Sequence, residues 1–211
     1  MTFKTAHLFL LIIVLVTFIW SLINPAAYSS WILEAGPAIV LLAIVLFLYK
    51  KFRLTTLSYS IIAFVTILVF IGGHYIYSNV PLFDWLKEAL DLKRNHYDRF
   101  GHLMKGLTAI IIREILLRKT LLAKGVWLNG ITVSIVLAIA ALYEIIEWLF
   151  AMVTSDGKAS KNFLGMQGDI WDAQWDMALT LIGSIIALIL FTKMHDMLLK
   201  REIELNTDRN H

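Results

Sequence analysis

Long stretches of this chain carry no charged residue, and they alternate with short polar segments. The segments 35–49, 54–71 and 131–143 contain no Asp, Glu, Lys or Arg. An α-helix needs about 20 predominantly apolar residues to cross the hydrocarbon core of a bilayer. The pattern predicts an all-α protein, a polytopic membrane helix bundle with about six transmembrane helices, at residues 7–23, 31–49, 57–77, 98–117, 128–153 and 169–194.

Two connecting segments have a different character. Residues 80–94 are too polar to cross a membrane, but their apolar side chains recur at three- and four-residue steps. This spacing predicts a short amphipathic helix along the membrane interface. Residues 154–168 are rich in Gly, Ser and Lys, which is typical of a loop. We therefore expect one transmembrane domain over residues 1–195, with the interfacial segment at 80–95, and a charged cytoplasmic tail at 196–211.

The predicted helix at 98–117 is the most polar of the six. It contains Arg99, His102, Lys105, Arg113 and Glu114. Basic residues favour the cytoplasmic side of short loops. With six helices and a cytoplasmic N-terminus, 12 basic and five acidic residues fall on the inner side, and seven basic and 11 acidic residues on the outer side. We therefore expect this helix to span the membrane, buried among the others, and both termini to be cytoplasmic.

Composition narrows the classes of function. Of the 211 residues, 59% are hydrophobic and 17% are charged, whereas about a quarter of a soluble domain is charged. There is no cysteine, which excludes a disulfide framework, a thiolate metal site and a cysteine nucleophile. The basic residues indicate topology, and we expect no nucleic-acid partner. We interpret the first apolar run, which follows Lys4, as a retained helix rather than a cleaved signal peptide.

Polar residues of the predicted helices concentrate at their outer ends. Asp98 and His102 are four residues apart, so they share one helix face. Glu144 and Glu147 are three apart. The last helix opens with three aspartates that lie along one of its faces, Asp169, Asp172 and Asp176. His74 lies near the outer end of the third helix.

Placing an ionised acid deep in the membrane costs free energy. Glu144 lies about nine residues from the outer end of its helix, roughly 13 Å deep. A charged side chain at the bilayer centre costs about 2.5–3.5 kcal/mol on insertion scales. Its partner is a proton, His102, Arg99, Lys105 or a metal ion. The alternative is that these groups pair only to hold the helices together; convergence from four helices favours a functional site.

This site has a predicted core and predicted supporting residues. The core consists of Asp98, His102, Glu147, Asp172 and Asp176, and the supporting residues are His74, Arg99, Glu144 and Asp169. Imidazole and carboxylate groups together can bind a divalent metal ion. For such an ion, we expect the ligands His102, Glu147, Asp172 and Asp176.

Three segments carry a resemblance to a known family: residues 96–102 (HYDRFGH), 143–148 (YEIIEW) and 168–177 (GDIWDAQWDM). Together they resemble the YjdF-like family of uncharacterised bacterial inner-membrane proteins. More distantly, they resemble VanZ-like membrane proteins, which are linked to glycopeptide resistance. The resemblance implies a bacterial plasma membrane and an outward-facing polar site. It implies no established reaction.

Three functions fit these observations. The leading hypothesis is a membrane-embedded hydrolase or transferase, acting on a lipid or lipid-linked cell-envelope substrate with the polar site described above. The first alternative is a proton-coupled transporter, which the apolar inner halves of most helices disfavour. The second alternative is a non-catalytic membrane scaffold, for which the interfacial segment is a docking surface.

Overall fold

The computed structural model describes residues 4–153 and 166–207, and within them it contains α-helices and two 3₁₀ turns but no strand. Most of the predicted loop at 154–168, and the last four residues of the predicted tail, lie outside this part. The α-helices are α1 (Thr5–Leu22), α2 (Tyr28–Leu48), α3 (Thr56–Tyr75), α4 (Pro81–Ala89), α5 (Tyr97–Lys105), α6 (Ala109–Lys119), α7 (Val126–Val153) and α8 (Asp172–Thr207).

Five of these helices, α1, α2, α3, α7 and α8, are long and apolar enough to cross a membrane. The predicted all-α membrane bundle is therefore confirmed. The polar helix predicted at 98–117 forms as two short helices, α5 and α6, joined by a 3₁₀ turn at Gly106–Thr108. Because neither half is long and apolar, this segment is held in the bundle by its neighbours.

The segment formed by α5 and α6 runs side by side with α8. At one end Arg99 lies 3.6 Å from Asp172, and at the other Arg113 lies 2.8 Å from Asp196. Asp172 and Asp196 are 24 positions apart on α8, which is roughly 36 Å at 1.5 Å per residue. This length exceeds the ~30 Å hydrocarbon core. The segment therefore crosses the bundle beside α8 as its sixth long element.

Two glycines allow this close approach. A Cβ atom at Gly106 would lie 2.5 Å from the backbone of Gly183 and Ser184, and one at Gly183 would overlap the carbonyl oxygen of Leu103. In both cases the obstacle is backbone, which cannot turn aside as a flexible side chain can. Close backbone contact between membrane helices commonly depends on such small residues.

Replacing Gly183 with Ala is expected to destabilise the protein by about 1–3 kcal/mol, because a methyl group must force α5 and α8 apart. Thermal unfolding of the purified protein in detergent measures this effect. The matched control is Gly130→Ala, since a Cβ at the exposed Gly130 meets nothing within 4 Å. Equal unfolding temperatures for the two variants would contradict the packing described.

Both described ends of the chain lie at the same end of the bundle, here called the terminal end. The Lys4 ammonium pairs with the Glu202 carboxylate, and the His7 ring lies 2.8 Å from the hydroxyl of Tyr49, at the end of α2. An even number of crossings explains this arrangement. That the terminal end faces the cytoplasm stays a prediction.

Some predicted boundaries and surface positions were wrong. The last helix does not end near residue 194 but continues to Thr207, because Asp196 and Glu202 have buried or half-buried partners. Because tryptophan is enriched at membrane interfaces, the sequence predicts interfacial positions for Trp31, Trp85, Trp171 and Trp175, and for Trp31 this prediction is wrong. Trp31 is buried, and its indole N–H donates to the Ser21 hydroxyl at 3.1 Å.

The amphipathic segment forms as α4, in which no residue is buried. Leu82 and Trp85 are each more than 60% exposed, as expected for side chains that enter the head-group region. Asn95 anchors the segment, because its amide donates to Asp84 at 2.9 Å and to the Val80 carbonyl at 3.1 Å.

Candidate functional site

The centre of the candidate site is formed by three side chains from α5 and α8. One ligand atom from each of Asp98, His102 and Asp176 lies within 4.8 Å of the other two. Asp98 and His102 are one helical turn apart on α5, and His102 Nε2 lies 3.6 Å from Asp98 Oδ1. His102 and Asp176 are both at most 3% exposed. Three ligand atoms at this spacing can hold a metal ion.

The carboxylates of Glu144 and Glu147 enter the same site from α7. Glu144 Oε1 lies 3.8 Å from His102 Nε2. The Glu147 carboxylate interacts electrostatically with both Asp98 and Glu144. Along α7, Ile145, Ile146 and Trp148 are each at least half exposed. The two acids therefore lie on the buried face of α7, and the exposed face of the same helix is apolar.

Glu34 on α2 is a further member of the site that was not predicted from the sequence. It is 8% exposed, and the groups acting on its charge include Asp98, Tyr143 and Lys105. A Cβ at Gly73 of α3 would lie 3.6 Å from the Glu34 Cβ, so the glycine makes room for this approach. The available signal was its position as the one charged residue of an apolar segment.

Lys105 is the cation that the buried acids share. Its ammonium lies 3.0 Å from His102 Nε2 and 4.9 Å from the ring centre of Tyr143. It acts electrostatically on each of five buried or half-buried carboxylates. With His102 and Lys105, these carboxylates define the carboxylate cluster; they are Glu34, Asp98, Glu144, Glu147 and Asp176.

The carboxylate cluster has more acids than cations. Five carboxylates face one ammonium, so full ionisation with a neutral His102 would leave a net charge of −4. Uncompensated buried charge costs several kcal/mol per ion. In addition, Asp176 Oδ1 and Glu144 Oε1 are buried without a hydrogen-bond partner among the described residues. Both observations indicate that protons or a bound cation complete this cluster.

A second group, beside the first, is balanced in charge. Arg94 pairs with Asp172, and Arg99 pairs with Asp169. Diagonal contacts of 3.6 Å from Arg99 to Asp172 and 3.9 Å from Arg94 to Asp169 join the two pairs. Arg94 was not predicted to belong to the site. We call these four residues the arginine–aspartate group. It joins the first turn of α5 and the connection before it to the start of α8 and the connection before that helix.

Asp169 lies outside the membrane-spanning helices, where its charge state follows from its contacts. The Trp171 backbone N–H donates to Asp169 at 2.9 Å, and this bond, followed by the Arg99 guanidinium, lowers the pKa of the Asp169 carboxyl. Asp169 is therefore ionised at neutral pH and is a permanent counter-ion for Arg99.

The structure changes three of the predicted assignments. His74 does not point into the carboxylate cluster: its Nδ1 lies 3.2 Å from the Ser21 carbonyl, and its ring packs on Trp20 at 4.3 Å. Asp172, predicted as a metal ligand, is held by Arg94. Among the described residues, the group with metal-ligand spacing contains Asp98 in place of Asp172 and Glu147.

A buried polar cluster at the terminal end was also missed. Glu114 and His195 are both 0% exposed, and the His195 Nε2 lies 3.4 Å from Glu114. Glu114 also accepts from the Thr55 backbone N–H at 2.9 Å and from the Ser58 hydroxyl at 2.6 Å. We call this group, with Arg113 and Arg118, the Glu114 cluster. Its central carboxylate is fully hydrogen-bonded, unlike Asp176.

An apolar layer lies between the Glu114 cluster and the carboxylate cluster. Its six side chains come from α3, α6, α7 and α8, and none is more than 8% exposed. No ionisable side chain belongs to this layer, although the buried hydroxyls of Thr132, Thr180 and Ser184 lie on the same helices α7 and α8. The layer consists of Ile61, Ala109, Ile110, Val136, Ala187 and Leu188.

Comparison with known proteins agrees with this architecture. A family model described as "Predicted membrane protein (DUF2238)" matches residues 6–197. Inner membrane protein YjdF of Escherichia coli (strain K12) is 36% identical over 173 residues, which cover 82% of each chain. No solved structure is significantly similar to the chain.

The resemblance to the YjdF-like family is confirmed, and the more distant one to VanZ-like proteins stays a prediction. The relative's location and the five apolar helices place this chain in the bacterial inner (plasma) membrane as a multi-pass protein. The chain belongs to the DUF2238 family of predicted membrane proteins.

Proposed function

We propose that this protein is a membrane-embedded hydrolase or transferase that binds a divalent cation through Asp98, His102 and Asp176. Its substrate is a lipid or a lipid-linked precursor of the cell envelope. The observation that carries the proposal is the excess of buried carboxylates around one imidazole, with one oxygen of Asp176 left without a partner.

The donor set supports a particular class of cation. One imidazole and two carboxylates, without any thiolate, suit Mn²⁺ or Zn²⁺ better than Cu(I). Such a cation activates a bound water molecule as a nucleophile and polarises a phosphoryl or carbonyl oxygen. Glu144 lies next to His102, where its carboxylate can accept the proton of that water.

The position of the site supports a substrate that resides in the membrane. The exposed, apolar faces of α7 and α8, which include Ile145, Trp148 and Trp175, adjoin the buried acids. A lipid-linked molecule diffusing in the bilayer can therefore reach the site laterally. The aromatic side chains at this end suit the head-group region, where the reacting group of such a substrate lies.

Replacing Asp98 with Asn tests this function in cells. The substitution keeps the shape of the side chain but removes its charge, so we expect the protein to accumulate normally and its reaction to stop. Mass spectrometry of lipid extracts from cells without the native gene then shows the same profile for Asp98→Asn as for an empty vector. The exposed Asp91 provides the matched control, because Asp91→Asn restores the wild-type profile.

A lipid profile that Asp98→Asn restores as fully as wild type would contradict the proposed function. Equal accumulation of both variants in the membrane is measured alongside, so that loss of protein is not mistaken for loss of activity.

Proton-coupled transport is the second candidate, and the Glu114 cluster favours it because that cluster places buried polar groups at the other end of the bundle. The apolar layer between the two clusters favours the enzyme instead, because transport requires access from both sides. A substrate flux driven by a pH gradient in proteoliposomes, absent in Asp98→Asn, would reverse this ranking.

A further inference from the structure

An apolar groove lies near the terminal end of the bundle, whereas the carboxylate cluster lies towards the other end. α1 and α2 both pack along α3, and they contact each other at their two ends, where Trp31 donates to Ser21 and His7 lies against Tyr49. Between these contacts a gap remains, with α3 as its floor. Apart from His7, the side chains that line it are aliphatic or aromatic. Ala63 on the α3 floor and Val14 on α1 are at most 5% exposed, whereas Leu42 on α2 is half-buried.

The groove has the orientation of a lipid acyl chain. It extends from His7 at the terminal end to Val14, seven residues along α1, which is roughly 10 Å. One leaflet of the hydrocarbon core is about 15 Å thick, so the groove covers about two thirds of a leaflet. His7 closes its polar end, because the two ring nitrogens contact the Tyr49 hydroxyl at 2.8 Å and Thr56 Oγ1 at 3.0 Å.

The polar end of the groove carries positive charge. The Arg53 guanidinium lies 4.8 Å from the ring centre of Tyr49, which lines the groove, and acts electrostatically on His7. No carboxylate lies within ion-pair distance of Arg53 among the described residues, and its Nε is buried without a hydrogen bond there. Lys50 and Lys51 beside it are exposed, and residues 35–83 contain no acid.

We propose that this groove binds one acyl chain of an anionic phospholipid whose phosphate is bound by Arg53. The apolar walls remove the chain from contact with other lipids, and the unpaired guanidinium supplies the charge-assisted hydrogen bonds that a phosphate requires. Basic residues near a membrane surface favour anionic lipids by about 1 kcal/mol each. This site is independent of the proposed reaction and lies at the opposite end of the bundle.

Lipid retention tests the proposal. The full-length protein is reconstituted in nanodiscs of phosphatidylcholine with about 30% phosphatidylglycerol, extracted into mild detergent and analysed by native mass spectrometry. We expect the wild type to retain one phosphatidylglycerol per chain, and Arg53→Gln to retain about fivefold less. Lys193→Gln, which removes an exposed basic residue that does not line the groove, retains as much as wild type.

Filling the groove distinguishes a seated acyl chain from simple attraction to charge. Leu42→Trp leaves Arg53 in place but occupies the groove, so it also loses the bound lipid, whereas inorganic phosphate added to the wild type displaces nothing. Equal retention by Arg53→Gln and Lys193→Gln, retention by Leu42→Trp, or displacement by inorganic phosphate would each overturn the proposal.

Discussion

Replacing Glu114 with Ala is expected to lower the free energy of unfolding by about 3–5 kcal/mol, the range for breaking a buried ion pair by removing one partner. The Glu114 side chain is 0% exposed. Besides the bonds from Thr55 and Ser58 at the start of α3, it accepts from the Arg118 guanidinium at 2.9 Å. Its removal leaves the Thr55 backbone N–H without an acceptor among the described residues and leaves Arg118 only the Arg53 carbonyl.

The consequence extends beyond one contact, because Glu114 connects α6 to α3 and to α8. His195 lies between Glu114 and Arg113, whose guanidinium nitrogen is 2.6 Å from the other ring nitrogen. Once Glu114 is lost, Arg113 keeps Asp196 as its counter-ion, but Arg118 has no carboxylate partner among the described residues. We therefore expect a cooperative loss of structure.

Denaturation in detergent micelles, followed by circular dichroism, measures this loss. Glu204→Ala is the control, since the Glu204 side chain is 62% exposed and its one ion pair among the described residues is with Lys200 on its own helix. Its effect is expected to stay within about 0.5 kcal/mol. If the two variants unfold at the same denaturant concentration, the Glu114 cluster does not hold the bundle together.

The second large effect concerns Lys105. Replacing Lys105 with Met is expected to tighten binding of Mn²⁺ or Zn²⁺ at least tenfold, because the ammonium lies only 3.0 Å from a nitrogen of His102 and repels an added cation. Methionine preserves the length and the apolar stem of the side chain. In the same site, Asp176→Asn removes a ligand and is expected to weaken binding to below detection.

Competition with a fluorescent chelator gives the dissociation constants of both variants. Lys93→Met, in the exposed connection before α5, controls for the change in overall charge and keeps the wild-type affinity. An unchanged affinity in Lys105→Met, or an affinity raised equally by Lys93→Met, would mean that no cation binds next to His102.

The long apolar runs made the helices predictable, since α1, α2, α3, α7 and α8 differ from the predicted segments mainly at their ends. The polar segment 98–117 was predictable only through the charge distribution. Its division at Gly106 was not, because it depends on contact with Gly183. The continuation of the last helix to Thr207 was missed, because its charged residues gained partners from other helices.

The site was predictable as a set of acids and imidazoles at one end of the bundle, but not as a particular arrangement. Asp172 and Asp176 lie on one stripe of α8, and nothing in that spacing assigns them different roles. Their roles differ because Arg94 pairs with Asp172 and not with Asp176. Arg94 lies in a connection whose path the sequence does not reveal. Asp176 is left with Asp98 and His102.

The burial of His195 could not be predicted from the sequence around it. Its surroundings in the sequence are those of the charged end of an apolar helix, where a histidine is usually solvated. Its burial depends on Glu114, 81 residues earlier in the chain. Such pairings across helices require the packing of the bundle, not the pattern of one segment.

The most direct measurement is the metal content of the purified protein. Inductively coupled plasma mass spectrometry is applied to wild type and to the double variant His102→Ala, Asp176→Ala, purified in the same detergent. We predict close to one divalent ion per wild-type chain and almost none in the variant. A wild type without metal, after incubation with Mn²⁺ or Zn²⁺ and removal of the excess, would contradict the account and leave protons as the groups that balance the buried carboxylates.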